Sequence, residues 1–411
     1  MQPFVKTIHP RGVLSFAPDS EPLPLTPLNV LIGPNGSGKS NLIEIFELLK
    51  ALPTDLAEVI RDGGGIGEWL WKGGIPNVAR LTSDLTIDAE LQVPGVEPLL
   101  RYMVEFRAAG QRSEVVNEAV ENAEKTEANA ENRDFYFRMR NGRPMLRLHK
   151  VRMSDLMNAD VVVQPDNQIV FSERGLDPHQ SVLSQRKDPD LYPEVTAVAS
   201  AFGAILIYRE WGFGRYVPLR QPQPTDLPND VVLPDARNLG LILNAIEHSD
   251  AWSRLNAVLQ RFLPRFKRLT THVQGGTIQI FLHEDGLRTP IPATRLSDGT
   301  IRFITLLAIL LKPGGAPLIC LEEPELGLHP DAMTLIAELL VEASQQTQII
   351  VTTQSDVLVS ALSEHAESVV VCDNLGGATR FRRLESDKLR FWMDKYQLGE
   401  IWRAGELGGN P

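Results

Sequence analysis

This chain has little that would tie it to a membrane, an oxidising compartment or a nucleic-acid surface. Its 411 residues include two cysteines, Cys320 and Cys372. Each ends an apolar, strand-like run, so they read as small buried hydrophobes in a reducing setting, not as a disulfide or a metal pair. No apolar stretch approaches the ~20 residues of a membrane span. The opening Met1-Gln2-Pro3-Phe4-Val5-Lys6 lacks the apolar centre of a secretion signal. The expectation is a cytoplasmic protein with no membrane partner. Positive charge is short: 41 Lys and Arg stand against 52 Asp and Glu, a net charge of −11, which argues against a broad nucleic-acid surface. Internal repeats are missing, and so is any heptad run long enough for an extended coiled coil. What is left, 43% hydrophobic and 23% charged residues, is the balance of a globular chain with room for one large or two ordinary domains.

The most informative run present is Gly33-Pro34-Asn35-Gly36-Ser37-Gly38-Lys39-Ser40. It follows the apolar Leu28-Asn29-Val30-Leu31-Ile32 and precedes a helical pattern from Asn41 to Leu52. This is G-x-x-x-x-G-K-S in the strand–loop–helix setting it requires, a Walker A phosphate loop. Its glycines let backbone N–H groups converge on phosphate oxygens, and the helix start points its positive end at the same anion. The expected nucleotide-binding residues are Asn35, Gly36, Ser37, Gly38, Lys39, Ser40 and Asn41. Lys39 would reach the β- and γ-phosphates of ATP, and the Ser40 hydroxyl would ligate Mg²⁺.

A second site half lies far along the chain. Pro317-Leu318-Ile319-Cys320-Leu321-Glu322-Glu323-Pro324 is an apolar strand ending in two carboxylates, a Walker B pattern. Acids at the C-terminal end of a parallel strand stand where open α/β sheets bind ligands. Glu322 would hold Mg²⁺, and Glu323 would orient or deprotonate the attacking water. Just upstream, Leu296-Ser297-Asp298-Gly299-Thr300 opens a helical pattern. Ser297 or Asp298 would cap such a helix in any protein.

The rhythm of elements predicts an α/β fold. A parallel or mixed sheet core with helices on its faces alternates through residues 1–60 and 290–385. Within it the expected elements are strands Val5–Phe16, Leu28–Ile32, Pro317–Leu321, Gln348–Thr352 and Ser368–Val371, and helices Thr300–Leu311 and Asp331–Ser344. Residues 61–165 read as an antiparallel β subdomain, with strands at Leu85–Leu91, Arg101–Phe106, Phe135–Arg140 and Met145–Leu148. Glu114 to Arg133, rich in Glu, Asn and Ala, reads as a mobile solvated hairpin tip or a short exposed helix. Residues 166–289 read as a helical and loop subdomain. Helix spacing covers Tyr192–Phe202 and Asn238–Leu263, with a proline-rich loop Pro218–Pro234 between them, and strands follow at Arg268–Val273 and Thr277–His283. Residues 386–411 read as a helical extension. Arg380, Arg382, Arg383, Lys388 and Arg390 are compatible with a local basic groove or with a solvated helix face.

Together these motifs resemble the RecF/SMC/OLD-like branch of ABC-type ATPases, and within it the small bacterial AAA family ATPases. The resemblance is close over residues 28–60 and 290–360. Leu296–Thr300 resembles the Leu-Ser-Gly-Gly-Gln signature. Glu322-Glu323-Pro324-Glu325-Leu326-Gly327-Leu328-His329-Pro330 is similar to that branch's acidic strand end and D-loop. Leu398-Gly399-Glu400-Ile401-Trp402-Arg403 with Gly408-Gly409 also resembles these small ATPases. The resemblance implies an ATP- and Mg²⁺-dependent ATPase head that works as a homodimer or higher homo-oligomer. Leu296, Ser297, Asp298, Gly299 and Thr300 would then complete the nucleotide site of the opposite subunit. It also implies a switch residue after the next strand, where Gln354 replaces the usual His and fits slow hydrolysis, and a Q-loop glutamine on the metal, for which Gln180 is the candidate. The stretch between Asn41 and Leu296 carries no coiled coil, and only residues 372–411 follow the last expected strand, so no nuclease domain is expected. A separate effector protein, in bacterial antiviral defence, is the partner the family suggests. A RecF-like DNA clamp is the alternative, while a transporter subunit or a metabolic kinase fits the motifs less well.

Overall fold

The computed structural model describes residues 1–73, 84–110, 112–124, 134–140, 143–147, 161–163, 168–171, 176–212 and 214–408. At its centre is a six-stranded sheet in the order Leu206–Tyr208, Leu318–Glu322, Gln348–Thr352, Leu28–Ile32, Val369–Leu375, Ala378–Arg383. The first five run parallel and the last turns back antiparallel. The sheet is covered on both faces, so its central strands are mostly apolar and side chains alternate between two cores. Val30, Ile319, Leu321, Ile349 and Val351 enter one core. Leu31, Leu318, Cys320, Ile350 and Cys372 enter the other. Both cysteines are free and fully buried, and burial raises the pKa of each thiol.

The first core is closed by helices Leu239–Glu247, Ala251–Phe262, Asp298–Leu311 and Met333–Ala343, and by a small antiparallel sheet built on Phe266–Gln274 and Thr277–Glu284. The second is closed by helices Lys39–Ala51 and Pro193–Gly203 and by the inner face of a nine-stranded sheet whose described pairs are antiparallel. Val5–Arg11 belongs to that larger sheet, paired with Asp84–Leu91, although it lies in sequence beside the phosphate loop. Leu206–Tyr208, from a stretch read as helix and loop, joins the central sheet instead.

Several elements differ from the sequence reading. Arg112–Asn122 is a strand between Leu100–Ala109 and Phe135–Arg140, not a solvated tip or helix. Glu118 lies on its inward face and Glu121 on the opposite one, both buried, and their charge hides the apolar alternation. Glu118 is buried against Tyr102 Oη at 2.7 Å and Val182 N at 2.8 Å, and Glu121 pairs with Arg138 at 2.6 Å. Residues 125–133, Leu148 and Gly409 of the expected features lie outside the described residues. The expected Val5–Phe16 strand stops at Arg11, because Gly12 and Leu14 take positive φ in a turn. Asn238–Leu263 is two helices, and Val369–Leu375 outruns the expected Ser368–Val371 to form a hairpin with Ala378–Arg383. Among the described residues no helix is long and apolar enough to cross a membrane.

Candidate nucleotide site

The parallel strand Leu28–Ile32 delivers the chain into the phosphate loop, and two glycines there have no substitute. Gly33 takes φ 149°, and a Cβ on it would meet the Cys372 carbonyl oxygen at 2.2 Å. Gly38 takes φ 95°, and a Cβ there would stand 2.0 Å from Thr379 Oγ1. Thr379 itself, buried on the hairpin strand, lies 2.9 Å from the Ser37 carbonyl, and its backbone N–H donates to Ser15 O at 2.8 Å. Asn374 donates to Gly36 O at 3.2 Å, and Asn41 donates to Ser15 Oγ at 2.7 Å. The loop is therefore braced from outside by the Ser15 turn and by the C-terminal hairpin. Sequence reasoning saw neither, because both are remote in the chain and carry no motif.

Lys39 is buried and donates to Gly33 O at 2.6 Å and Pro34 O at 2.9 Å, so its ammonium sits inside the curl of the loop. Burial pulls its pKa down, opposed by nearby negative charge that includes Glu323 and Glu322. The next residue, Ser40, donates its hydroxyl to Glu322 Oε1. Glu322 ends the acidic strand, separated from Leu28–Ile32 by the Gln348–Thr352 strand between them. Glu323 follows at φ 45°, a left-handed backbone that a glutamate rarely takes. Its N–H is held by Thr352 O at 3.0 Å, and its carboxylate accepts from Gln354 Nε2. Behind it, buried Glu325 accepts from Thr353 Oγ1 and from Gln354 N at 3.1 Å, and burial raises its pKa.

Gln180 is not brought to this cluster. It is exposed, accepts from Ser184 Oγ at 3.3 Å, and lies in a loop beside the Arg112–Asn122 strand. Leu318–Glu322 has Gln348–Thr352 on one side and Leu206–Tyr208 on the other, and the residue that meets Glu322 from this second side follows Leu206–Tyr208. Arg209 stands there. It donates Nε to Glu322 Oε2 at 2.8 Å, Nη1 to Glu47 at 2.7 Å and Nη2 to Glu44 at 3.1 Å. Burial works against its charge, but the three carboxylates outweigh it and raise its pKa. Two residues on, Trp211 Nε1 donates to the Glu322 carbonyl at 2.7 Å, and the indole stacks under the Arg302 guanidinium at 5.1 Å. A three-residue strand leaves too short a pattern to register in sequence, which is why Arg209 and Trp211 were missed.

The signature residues start the Asp298–Leu311 helix. Ser297 caps it, accepting from Thr300 N at 3.0 Å, so the capping role is real. Ser297 and Asp298 are nonetheless exposed. Buried Arg220 holds the loop from beneath, through Ala293 O at 3.0 Å, Leu296 O at 2.6 Å and the Asp298 carboxylate. Leu296 is buried, and Gly299 lies against Gly327 of the D-loop, where a Cβ would stand 3.2 Å from its carbonyl. Among the described residues Arg380, Arg382 and Arg383 are each engaged by the fold rather than left as a free basic groove. Arg383 donates to Asn29 Oδ1 at 2.6 Å and Pro24 O at 2.8 Å, Arg382 donates to Leu407 O, and Arg380 pairs with Asp19 at 3.6 Å. The side chains of Lys388 and Arg390 lie outside the description.

The residues fit a Mg²⁺–nucleotide. Ser40 and Glu322 bring two hard oxygen donors together beside the phosphate loop. Among the described residues no group of three His, Cys, Asp or Glu could cage an ion unaided. An ion here would complete its shell with phosphate oxygens and water, the habit of Mg²⁺.

Comparison with known proteins agrees. Residues 28–360 match the family described as "AAA domain, putative AbiEii toxin, Type IV TA system". The chain belongs to this AAA-domain family. No curated protein matches it. Similar solved structures are SMC heads. An SMC head bound to the C-winged helix domain of ScpA is 14% identical with a TM-score of 0.55, covering 95% of this chain and 100% of that one. The Pyrococcus furiosus SMC head with an extended coiled coil, bound to the C-terminal domain of ScpA, is 12% identical with a TM-score of 0.56, over 96% and 99% of the two chains. The Pyrococcus yayanosii SMC head with a coiled coil and joint is 12% identical at 0.51, again over 96% and 99%. At such identities the likeness is one of fold. This AAA-domain protein has the SMC-head-like α/β fold of an ABC-type P-loop ATPase.

Proposed function

We propose that this protein is a slow ATPase that works as an ATP-gated switch. Two copies close on ATP, each presenting Ser297, Asp298 and Gly299 to the nucleotide held by the other, and hydrolysis lets them part. The observation that carries the reading is the signature loop. It is exposed at a helix start yet fixed from below by a buried arginine, the arrangement of a preorganised anion-facing surface. Lys39 turns from the loop carbonyls to the phosphates. Ser40 and Glu322 would hold Mg²⁺, which would supply charge neutralisation at the transferring phosphoryl group. Glu323, aimed by its left-handed backbone and by Gln354, takes the proton of the attacking water. A neutral glutamine orients without adding charge, which suits a slow switch. The closed pair would be read by a separate effector protein. The family's toxin–antitoxin description and the partner-bound SMC heads support that step, and antiviral defence is the setting we assign to it. Light scattering tests the core of the proposal. Glu323→Gln with ATP and Mg²⁺ should double in mass relative to the nucleotide-free protein, and an unchanged mass overturns the switch.

A further inference from the structure

Glu322 is gripped at three points, and only one of them faces the phosphate loop. Ser40 meets Oε1. Arg209 Nε meets Oε2 at 2.8 Å, and Trp211 Nε1 meets the backbone carbonyl at 2.7 Å. The two outer grips come from one short segment at the end of the Leu206–Tyr208 strand. That segment is itself fixed. Tyr208 stacks on Trp211 with ring centroids 6.2 Å apart, and the Tyr208 hydroxyl donates to Val232 O at 2.6 Å. The two remaining arms of the guanidinium reach Glu44 and Glu47, one turn apart on the helix that follows the phosphate loop. Arg209 thus spans the acidic strand and the phosphate-loop helix, the two elements that must hold their spacing for Ser40 and Glu322 to converge.

We infer that Arg209 is a positioning residue for the metal step: by fixing Oε2 it leaves Oε1 of Glu322 turned toward Ser40 and the Mg²⁺ position. The inference rests on the ATPase reading above. Two opposite effects of the arginine have to be separated. Its positive charge beside Glu322 disfavours any divalent cation, while its fixed fork sets the carboxylate's orientation. Charge acts alike on all divalent ions. Orientation matters most to Mg²⁺, which demands near-ideal octahedral geometry, and less to Ca²⁺, which accepts irregular shells. Loss of a group that orients a metal ligand typically costs 10–100-fold in metal affinity or activity.

The experiment titrates Mg²⁺ or Ca²⁺ into protein with a fluorescent ATP analogue and reads analogue binding, for wild type, Arg209→Met, Arg209→Lys and Glu47→Gln. ATPase rates with Mg²⁺ are measured alongside. In Arg209→Met the Mg²⁺ requirement, relative to the Ca²⁺ requirement, should rise roughly tenfold or more. The kcat should fall by a similar factor while KM for ATP at saturating Mg²⁺ holds. Arg209→Lys, with charge but no fork, should lie between. Glu47→Gln, which leaves the Glu44 anchor and the Nε bond to Glu322 in place, should track wild type. Equal shifts for both ions in Arg209→Met would mean that the arginine only sets charge, and would overturn the inference. A Glu47→Gln shift as large as that of Arg209→Met would mean that it only packs, with the same consequence. If Arg209→Met does not fold, Arg209→Lys decides, and a wild-type Mg²⁺-to-Ca²⁺ ratio overturns the inference. Failure of the wild type to bind the analogue with either ion would instead sink the ATPase reading, a result distinct from all of these.

Discussion

Ser40 and Glu322 are 282 residues apart in the chain, and the hydroxyl of one donates a hydrogen bond to the carboxylate of the other. One follows the phosphate-loop lysine, and the other ends the acidic strand. The contact joins the two halves of a nucleotide site across the Gln348–Thr352 strand, which separates their parent strands in the sheet. It brings a hydroxyl and a carboxylate together beside the phosphate loop, a hard oxygen pair of the kind Mg²⁺ accepts.

Lys39→Ala should abolish tight ATP binding. The ammonium is the cation set within the loop, bonded to the Gly33 and Pro34 carbonyls. Each hydrogen bond to a charged group is worth about 1.5–3 kcal/mol, so affinity should drop by at least roughly 10–100-fold in calorimetric titration. Wild-type affinity in this variant would remove the phosphate-loop assignment.

Glu323→Gln should bind ATP normally and hydrolyse it roughly 10²–10⁴-fold more slowly, the usual worth of a positioned general base. Gln has the same size and faces the same left-handed backbone at φ 45°, so the fold should be unaffected. Phosphate release at saturating ATP reads the effect. Unchanged turnover would assign the base to another group, with Glu325 the carboxylate behind it.

Ser297→Asp separates capping from the composite site. Asp caps a helix about as well as Ser, so thermal stability should hold, whereas Ser297→Ala should lose ~1 kcal/mol. The added carboxylate would meet a γ-phosphate in the partner's site. In a Glu323→Gln background, Ser297→Asp should therefore bind ATP as a monomer but fail to dimerise by light scattering. Dimerisation equal to that of the parent would leave only a generic ATP-binding protein.

Gly38→Ala should damage the phosphate loop from behind. The left-handed φ of 95° and the 2.0 Å approach to Thr379 Oγ1 leave no room for a methyl group. A strained residue of this kind costs of order 1–3 kcal/mol. Denaturant titration should show the loss, and Thr379→Gly in the same chain should recover part of it. No recovery would mean that Thr379 is not the obstacle.

Glu118 should give the fold a pH-dependent term. It is buried with its pKa raised above the ordinary 4.5, chiefly by desolvation. A carboxyl whose native pKa is raised favours folding while protonated. Its contribution is full below the unfolded value and is lost as pH rises through the native one. The stability difference between wild type and Glu118→Gln should therefore shrink or reverse as the pH of urea titrations is raised above 4.5. A constant difference would show that Glu118 keeps an ordinary pKa in the fold.

Much of this protein was legible along the chain. Gly33–Ser40 needs only its neighbours to act, because a phosphate loop is built from consecutive backbone N–H groups. The strands Leu28–Ile32 and Gln348–Thr352 were readable to the residue, since a strand buried on both faces reads as a short, mostly apolar run. The acidic strand end and the cap at Ser297 are likewise local patterns. Tertiary structure decided what depends on distant partners. Arg112–Asn122 is a strand because Tyr102, Ser181, Arg101 and Arg138 satisfy the acids that made it look solvated. Arg382 and Arg383 are structural because Asn29, Pro24 and Leu407 take up their donors. Arg209 rather than Gln180 stands beside Glu322, because strand order in a sheet is set by the packing of both faces at once. Sequence records which residues can form a strand, and folding alone determines which strand ends become neighbours.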